Sequence, residues 1–192
     1  MRVIAGSAKG RVLRPPRAAA TRPITDRAKE SLFAILAPRI PEGRFLDLFA
    51  GTGSVGIEAL SRGAARATFL ERSGPALAGL RHNLEITGLA ARAEVIGRDV
   101  FGYLREAPVP SDVIFVAPPQ WHGLWPRAVT LLDREPGWLA DGAVAVEGLA
   151  VEFPGERGHA GLSRRVVGTP GVQPGLAYPG AGAAKNVNRT RP

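Results

Sequence analysis

The sequence predicts an α/β fold with a mainly parallel central sheet flanked by helices. Three observations carry this reading. From residue 44 to 149, short apolar runs alternate with longer amphipathic ones, the pattern of strands joined by crossover helices. One apolar run, Phe45 to Leu48, leads into Gly51-x-Gly53-x-x-Gly56 and then into helix-favouring residues. A later run, Asp112 to Val116, ends in Ala117-Pro118-Pro119, a stop that neither strand nor helix can pass.

The elements follow in order. Residues 2–14 alternate weakly and predict a short basic β-hairpin with its turn between Gly6 and Gly10. Pro15-Pro16 ends it, and residues 17–24 read as a loop. Thr25 is placed to N-cap a helix from Asp26 to about Ala37, with Leu32, Phe33, Ile35 and Leu36 on its buried side. Strands are expected over 44–49, 66–71, 92–97, 112–117 and 143–149, and helices over 54–62, 74–87, 99–106 and 124–133. Domains follow: 1–24 as a basic hairpin and loop, 25–150 as the sheet-bearing domain, and 151–192 as a Gly/Pro-rich tail. The tail carries eight Gly and five Pro, and only Arg164 to Thr169 suggests a strand in it. There is no internal repeat.

Composition narrows the setting. With no cysteine, disulfides and thiolate metal sites are excluded, and a reducing, cytoplasmic compartment is expected. No apolar run has membrane-spanning length, and the start of the chain is too poor in apolar residues for a signal peptide. The net charge of +8 is unevenly spread: residues 1–44, 45–150 and 151–192 contribute +7, −3 and +4. A basic arm on a mildly acidic domain is the footprint of a polyanion binder. The plainer alternative is a solvated, arginine-rich surface.

Three carboxylates follow successive expected strand ends: Asp47, Glu71 and Asp99. Asp47 lies four residues before Gly51, where it would repel a pyrophosphate but suit the ammonium end of a methionine-like ligand. Gly51 and Gly53 form a turn whose bare backbone lets a ligand lie close. Glu71 can accept both hydroxyls of a ribose, and Asp99, with Val100 behind it, can reach an adenine amine. Together they describe a pocket for S-adenosylmethionine. Binding of NAD or FAD is the rival, since the glycine fingerprint is shared. For each acid alone, a helix N-cap or a solvated face is the ordinary role.

The Pro-Pro turn adds a reaction. It looks like the Asp/Asn-Pro-Pro-aromatic motif of amino methyltransferases, in which the acidic or amide side chain and a proline-flanked carbonyl accept the hydrogens of an exocyclic amine. The lone pair then faces the methyl group while the aromatic residue stacks on an extruded base. This chain departs twice: Ala117 replaces the acid or amide, and Gln120 replaces the aromatic residue, with Trp121 one position later. Backbone carbonyls near Ala117 and Pro118 are the remaining acceptors.

With these motifs in place, the chain resembles the RsmD family of bacterial methyltransferases, which modify the N2 amine of a guanine in 16S ribosomal RNA. The resemblance runs from Met1 to about Glu147. It rests on Arg2-Val3-Ile4-Ala5-Gly6 with Gly10-Arg11-x-Leu13, on Arg22-Pro23-x-Thr25-x-Arg27-x-x-Glu30-Ser31-Leu32-Phe33, and on Leu46-Asp47-Leu48-Phe49-Ala50-Gly51-Thr52-Gly53. Gly56-x-Glu58-Ala59-Leu60-Ser61-Arg62-Gly63, Ala117-Pro118-Pro119 and Gly137-Trp138-Leu139 complete it. It implies a Rossmann-like class I methyltransferase fold with S-adenosylmethionine as cofactor and no metal. The expected substrate is 16S rRNA or the small ribosomal subunit, and the expected state a monomer. Asp47, Gly51 and Gly53 would form the methionine-side turn, Glu71 the ribose acid, Asp99 with Val100 the adenine contact, and Ala117, Pro118 and Pro119 the catalytic turn. Arg2, Lys9, Arg11 and Arg14 would grip RNA phosphates, while Arg22 and Thr25 would sit in a loop near the cofactor, Thr25 being equally an N-cap. Similar folds close the sheet with an antiparallel hairpin. Residues 151–192 offer no such pair, so a degenerate ending is expected. Two alternatives stay open: a DNA or protein amino methyltransferase, and a cofactor- and RNA-binding homologue silenced at Ala117.

Overall fold

The computed structural model describes residues 1–15, 24–119 and 124–147. Five parallel strands form one sheet in the order β3-β2-β1-β4-β5. They are β1 (Arg44–Asp47), β2 (Arg66–Leu70), β3 (Ala93–Ile96), β4 (Ser111–Val116) and β5 (Leu139–Glu147). Between and before them run α1 (Asp26–Leu36), α2 (Ser54–Ser61), α3 (Gly74–Thr87), the single turn α4 (Val100–Tyr103) and α5 (Leu124–Arg134). The expected α/β class is therefore what forms. The expected tail over 151–192, like Arg22, Gln120 and Trp121, lies outside the described residues.

Both faces of the sheet are covered, which explains why its strands read as near-continuous apolar runs. Alternate residues feed two separate cores. Phe45, Phe69, Val113, Phe115 and Val144 pack against α1, α2 and α3. Leu46, Leu70, Ile114, Val116 and Ala145 pack against α4 and α5, where Trp138 is fully buried. Strand β5 begins four residues earlier than the sequence reading placed it. Ser111 pairs with Leu139 but Val113 pairs with Val144, so β5 bulges between these points. Gly142 turns within that bulge at φ +73°, and Arg39 Nε donates to its carbonyl at 3.0 Å.

The two limbs of the N-terminal arm run antiparallel around the bridge between Arg2 and Val12. Val3 N donates to Arg11 O at 2.9 Å, Gly10 N to Val3 O at 2.9 Å and Leu13 N to Met1 O at 3.1 Å. Val3 and Leu13 are buried in the same core as α1 and α2. The arm is held to the body by polar contacts. Glu58 of α2, fully buried, accepts the backbone N–H of Ile4 at 2.8 Å and of Ala5 at 3.0 Å. It also takes ion pairs from Arg62 at 2.7 Å and from Lys29 at 3.3 Å. Ser61 Oγ accepts from Ala8 N at 3.0 Å and donates to Ala5 O.

Lys29 is fully buried beside Leu32 and Phe33, on the stripe of α1 that the periodicity marks as apolar. Burial pushes its ammonium below its ordinary pKa, with Glu58 opposing the shift. Its Nζ also donates to Arg2 O and, at 3.4 Å, to Ser54 Oγ at the start of α2. One carboxylate thus joins the arm, α1 and α2. Glu58→Ala strands the Lys29 charge in the interior and should cost about 3–5 kcal/mol in urea denaturation. It should also speed protease cleavage within residues 1–15, where the arm loses two backbone anchors.

Candidate active site

The strand order reverses on either side of β1, with β2 on one flank and β4 on the other. In open parallel sheets, the crevice beyond the carboxyl ends at this reversal is where ligands bind. Asp47, the last residue of β1, sits there in register with Phe69 of β2 and Phe115 of β4. Beyond it the chain stays tied to both neighbours: Leu48 N donates to Phe115 O at 3.0 Å, and Ala50 N to Leu70 O at 2.9 Å. It then turns through Gly51 (φ +55°) and Gly53 (φ +82°) into α2, with Gly53 N bonded to Ala50 O. Only glycine adopts these angles cheaply. A Cβ at Gly51 would meet nothing within 4 Å, so the turn is open on that side. A Cβ on Gly56 would stand 2.3 Å from the Phe69 ring, so this glycine lets α2 lie close on the sheet.

Asp47 is fully buried and its Oδ1 has no hydrogen-bond partner. Burial pushes its carboxyl up to about 7, while the amides of Phe49 and Gly56 pull the other way and Glu71 adds a small rise. A buried acid with one oxygen unmet, at the sheet edge where ligands bind in such folds, can receive a polar or cationic group. Glu71, just past β2, accepts Gly51 N at 2.9 Å on one oxygen, and Arg72 N at 2.8 Å and Ser73 N at 2.7 Å on the other. It braces the glycine turn against the start of α3, and of its roughly four acceptor positions three are taken.

Asp99 caps α4, its Oδ2 accepting Gly102 N at 3.0 Å, and is exposed. The ordinary helix-cap role is therefore real here and leaves its Oδ1 free of that cap. Val100 behind it is buried, and the neighbouring Phe101 packs edge-on to Phe49. The Arg127 guanidinium lies 3.9 Å from the Phe101 ring centroid. On the other side of β1, Ala117 and Pro118 are half-buried and Pro119 is exposed. The Ala117 methyl rests against the apolar core.

The sheet thus brings Asp47, Gly51, Gly53 and Glu71 together, with Asp99 and Val100 two strands away and Ala117, Pro118 and Pro119 on the opposite flank, all at one edge. Lys9, Arg11 and Arg14 are exposed on the arm. Arg2 is paired with Asp26 at 3.1 Å, an exposed contact of small energetic weight. Thr25 performs its expected cap, accepting Ala28 N at 3.2 Å.

The sequence reading missed Asn83, fully buried on α3, and Lys29 and Glu58 as a pair. The only sequence signal for Lys29 was its spacing from Leu32 and Phe33. Among the described residues, no group of three or more His, Cys, Asp or Glu is placed to hold a metal. Nor is any helix among them long and apolar enough to cross a membrane.

Comparison with known proteins bears on this geometry. A family model described as "Conserved hypothetical protein 95" matches residues 1–157. A protein of Escherichia coli (strain K12) named "Ribosomal RNA small subunit methyltransferase D" is 41% identical over 144 residues, covering 75% of this chain and 72% of its own. The chain belongs to the RsmD family. A Haemophilus influenzae RsmD relative of the same name is 39% identical, covering 75% of this chain and 76% of its own. The solved structure of yhhF from Escherichia coli overlays this RsmD-family chain with a TM-score of 0.69 at 39% identity, covering 77% of this chain and 79% of that one. An RNA methyltransferase of Salinibacter ruber, solved in complex with S-adenosyl-L-homocysteine, has a TM-score of 0.55 at 20% identity, covering 66% of this chain and 76% of that one, and shares the fold.

The RsmD-family acid Asp47 makes stability depend on pH. Its ordinary value is 3.8 and folding raises it to about 7. Its contribution to stability is therefore full below 3.8 and is lost as pH rises through about 7. Asp47→Asn removes this penalty. By thermal unfolding the variant should melt above the parent at about pH 8, and the gap should narrow as pH falls toward about 4.

Proposed function

We propose that this RsmD-family chain is an S-adenosylmethionine-dependent rRNA methyltransferase that acts on the exocyclic N2 amine of a guanine in 16S rRNA, free or in the small subunit, as a cytoplasmic monomer without a metal. The observation that carries the reading is the buried, unpartnered Asp47 oxygen beside the open Gly51 turn at the β1–β4 reversal. A dinucleotide would bring phosphate to this turn, which a carboxylate repels. S-adenosylmethionine brings an ammonium and no phosphate, and so fits the residues present.

Bound S-adenosylmethionine supplies a methyl group on a cationic sulfonium sulfur. The chain's own residues hold and orient. Asp47 offers its free oxygen to a cationic group from a dry setting, where such contacts are strong. Gly51 leaves the backbone bare for close approach. Glu71, already rigid on three amides, keeps acceptor capacity for ribose hydroxyls. Asp99 and Val100 offer an acceptor and an apolar surface to adenine. Pro118 and Pro119 carry no N–H, so the turn after β4 presents acceptors to an incoming amine. Accepting the amine hydrogens aims its lone pair, and with a reactive methyl donor positioning supplies much of the rate. Lys9, Arg11, Arg14 and Arg22 supply positive charge for phosphates, and Arg2 joins them beside its Asp26 partner.

Ala117 favours a second reading, a homologue that binds donor and RNA without turnover, because its methyl group accepts no hydrogen bond. Labelled donor with undermethylated small-subunit particles separates the two. Turnover should place label on one guanine as N2-methylguanine, identified by mass spectrometry of the nucleosides. Donor and RNA binding with no label selects the second reading, and no donor binding overturns both. Asp47→Asn should weaken donor binding by about 10–100-fold in calorimetry. Ala117→Asp should raise the single-turnover rate above that of the parent.

A further inference from the structure

Asn83 joins the arm to the glycine turn through one buried side chain. Its Oδ1 accepts Arg14 N at 2.8 Å, and its Nδ2 donates to Arg14 O at 3.1 Å and to Thr52 O at 2.9 Å. Both amide hydrogens are used, and the residue has no exposed surface. A grip on the N–H and the C=O of one residue copies a hydrogen-bonded strand pair and sets the direction of the chain as well as its place. Arg14 therefore leaves α3 with its Cα–Cβ vector defined. The third bond lands on Thr52, between Gly51 and Gly53. The same turn meets α3 again where Thr52 Cγ2 lies 3.2 Å from the place a Cβ would take on Gly79.

A buried amide serving only to glue the arm down could bond any part of the body. The arm already has such anchors in Glu58 and Ser61. Asn83 differs in what it connects: the backbone of an exposed cation and the peptide at the centre of the ligand turn. We infer that Asn83 is a positioning residue, holding the Arg14 phosphate contact in register with the donor turn so that RNA is presented at a set distance from the methyl group. This rests on the reading of the arm as an RNA contact and of the turn as the donor site.

The test is a double-mutant cycle of Asn83→Leu and Arg14→Ala, read by the salt dependence of binding to an unmodified 16S rRNA transcript and by single-turnover rate at saturating RNA. A lost phosphate contact lowers the slope of log K against log salt by about one. Arg14→Ala should do so, Asn83→Leu should do the same, and the double variant should lose no more than either alone. The single-turnover rate of Asn83→Leu should fall tenfold or more at saturating RNA, since misplacement survives saturation. A full slope in Asn83→Leu, or losses that add with Arg14→Ala, overturns the inference, because a merely structural residue would not share one phosphate contact with Arg14. If Asn83→Leu does not fold, Asn83→Ser takes its place in the cycle with the same expectations. A parent chain that fails to bind the transcript overturns the RNA reading itself. A parent that binds it, with Asn83 variants unchanged in slope, overturns only the role of Asn83.

Discussion

The carboxylate of Glu58 is the interaction on which the arrangement depends. It lies in the interior with the Lys29 ammonium on one oxygen, the Arg62 guanidinium on the other, and two backbone amides of the arm completing its shell. A buried ion pair adds little net stability over an apolar pair of the same shape, but removing one member leaves a charge with nowhere to go. The cluster ties the arm, α1 and α2 to one carboxylate, and so carries the exposed cations of the arm on the same body as the glycine turn.

The ligand edge reverses this economy. Where Glu58 is saturated with partners, Asp47 is left with an oxygen unmet, and its carboxyl titrates near neutrality. Folding tolerates that cost because the surrounding frame is over-determined. Glu71 holds the glycine turn, Asn83 holds the peptide between its glycines, and Gly56 seats α2 against Phe69. On the proposed reading, the site keeps part of its hydrogen-bonding capacity unspent for a charged ligand, and the rigid surroundings keep it from collapsing onto an internal partner.

Much of this was legible before the fold. The alternation of apolar runs placed every strand and helix of the described sheet, because strand and helix periods differ and the crossover pattern admits few topologies. Gly51, Gly53 and Gly56 announced the turn through their spacing. The three acids announced an edge, since each follows a strand. Lys29 was misread by omission. A lysine on an apolar stripe reads as exposed unless its partner is known, and Glu58 lies on another helix. The arm reads as a hairpin because its residues alternate, and its limbs do bond to each other, but nothing in that alternation shows the polar anchors that tie it to α2 and α3. Strand β5 starts early because a bulge at Gly142 lets residues outside the alternation join the ladder.

The sequence by itself determined the class of fold and the glycine turn after β1, because these rest on local conformational preference and on residue spacing along one chain. The tertiary structure alone decided which charges are buried together, that Asp47 keeps one oxygen unmet, and that Asp99 is exposed while it caps α4. Those outcomes depend on desolvation and on hydrogen bonds between residues far apart in sequence, such as Asn83 with Arg14 and Thr52. No spacing rule encodes such contacts, since they exist only once the sheet has brought its helices and arm together.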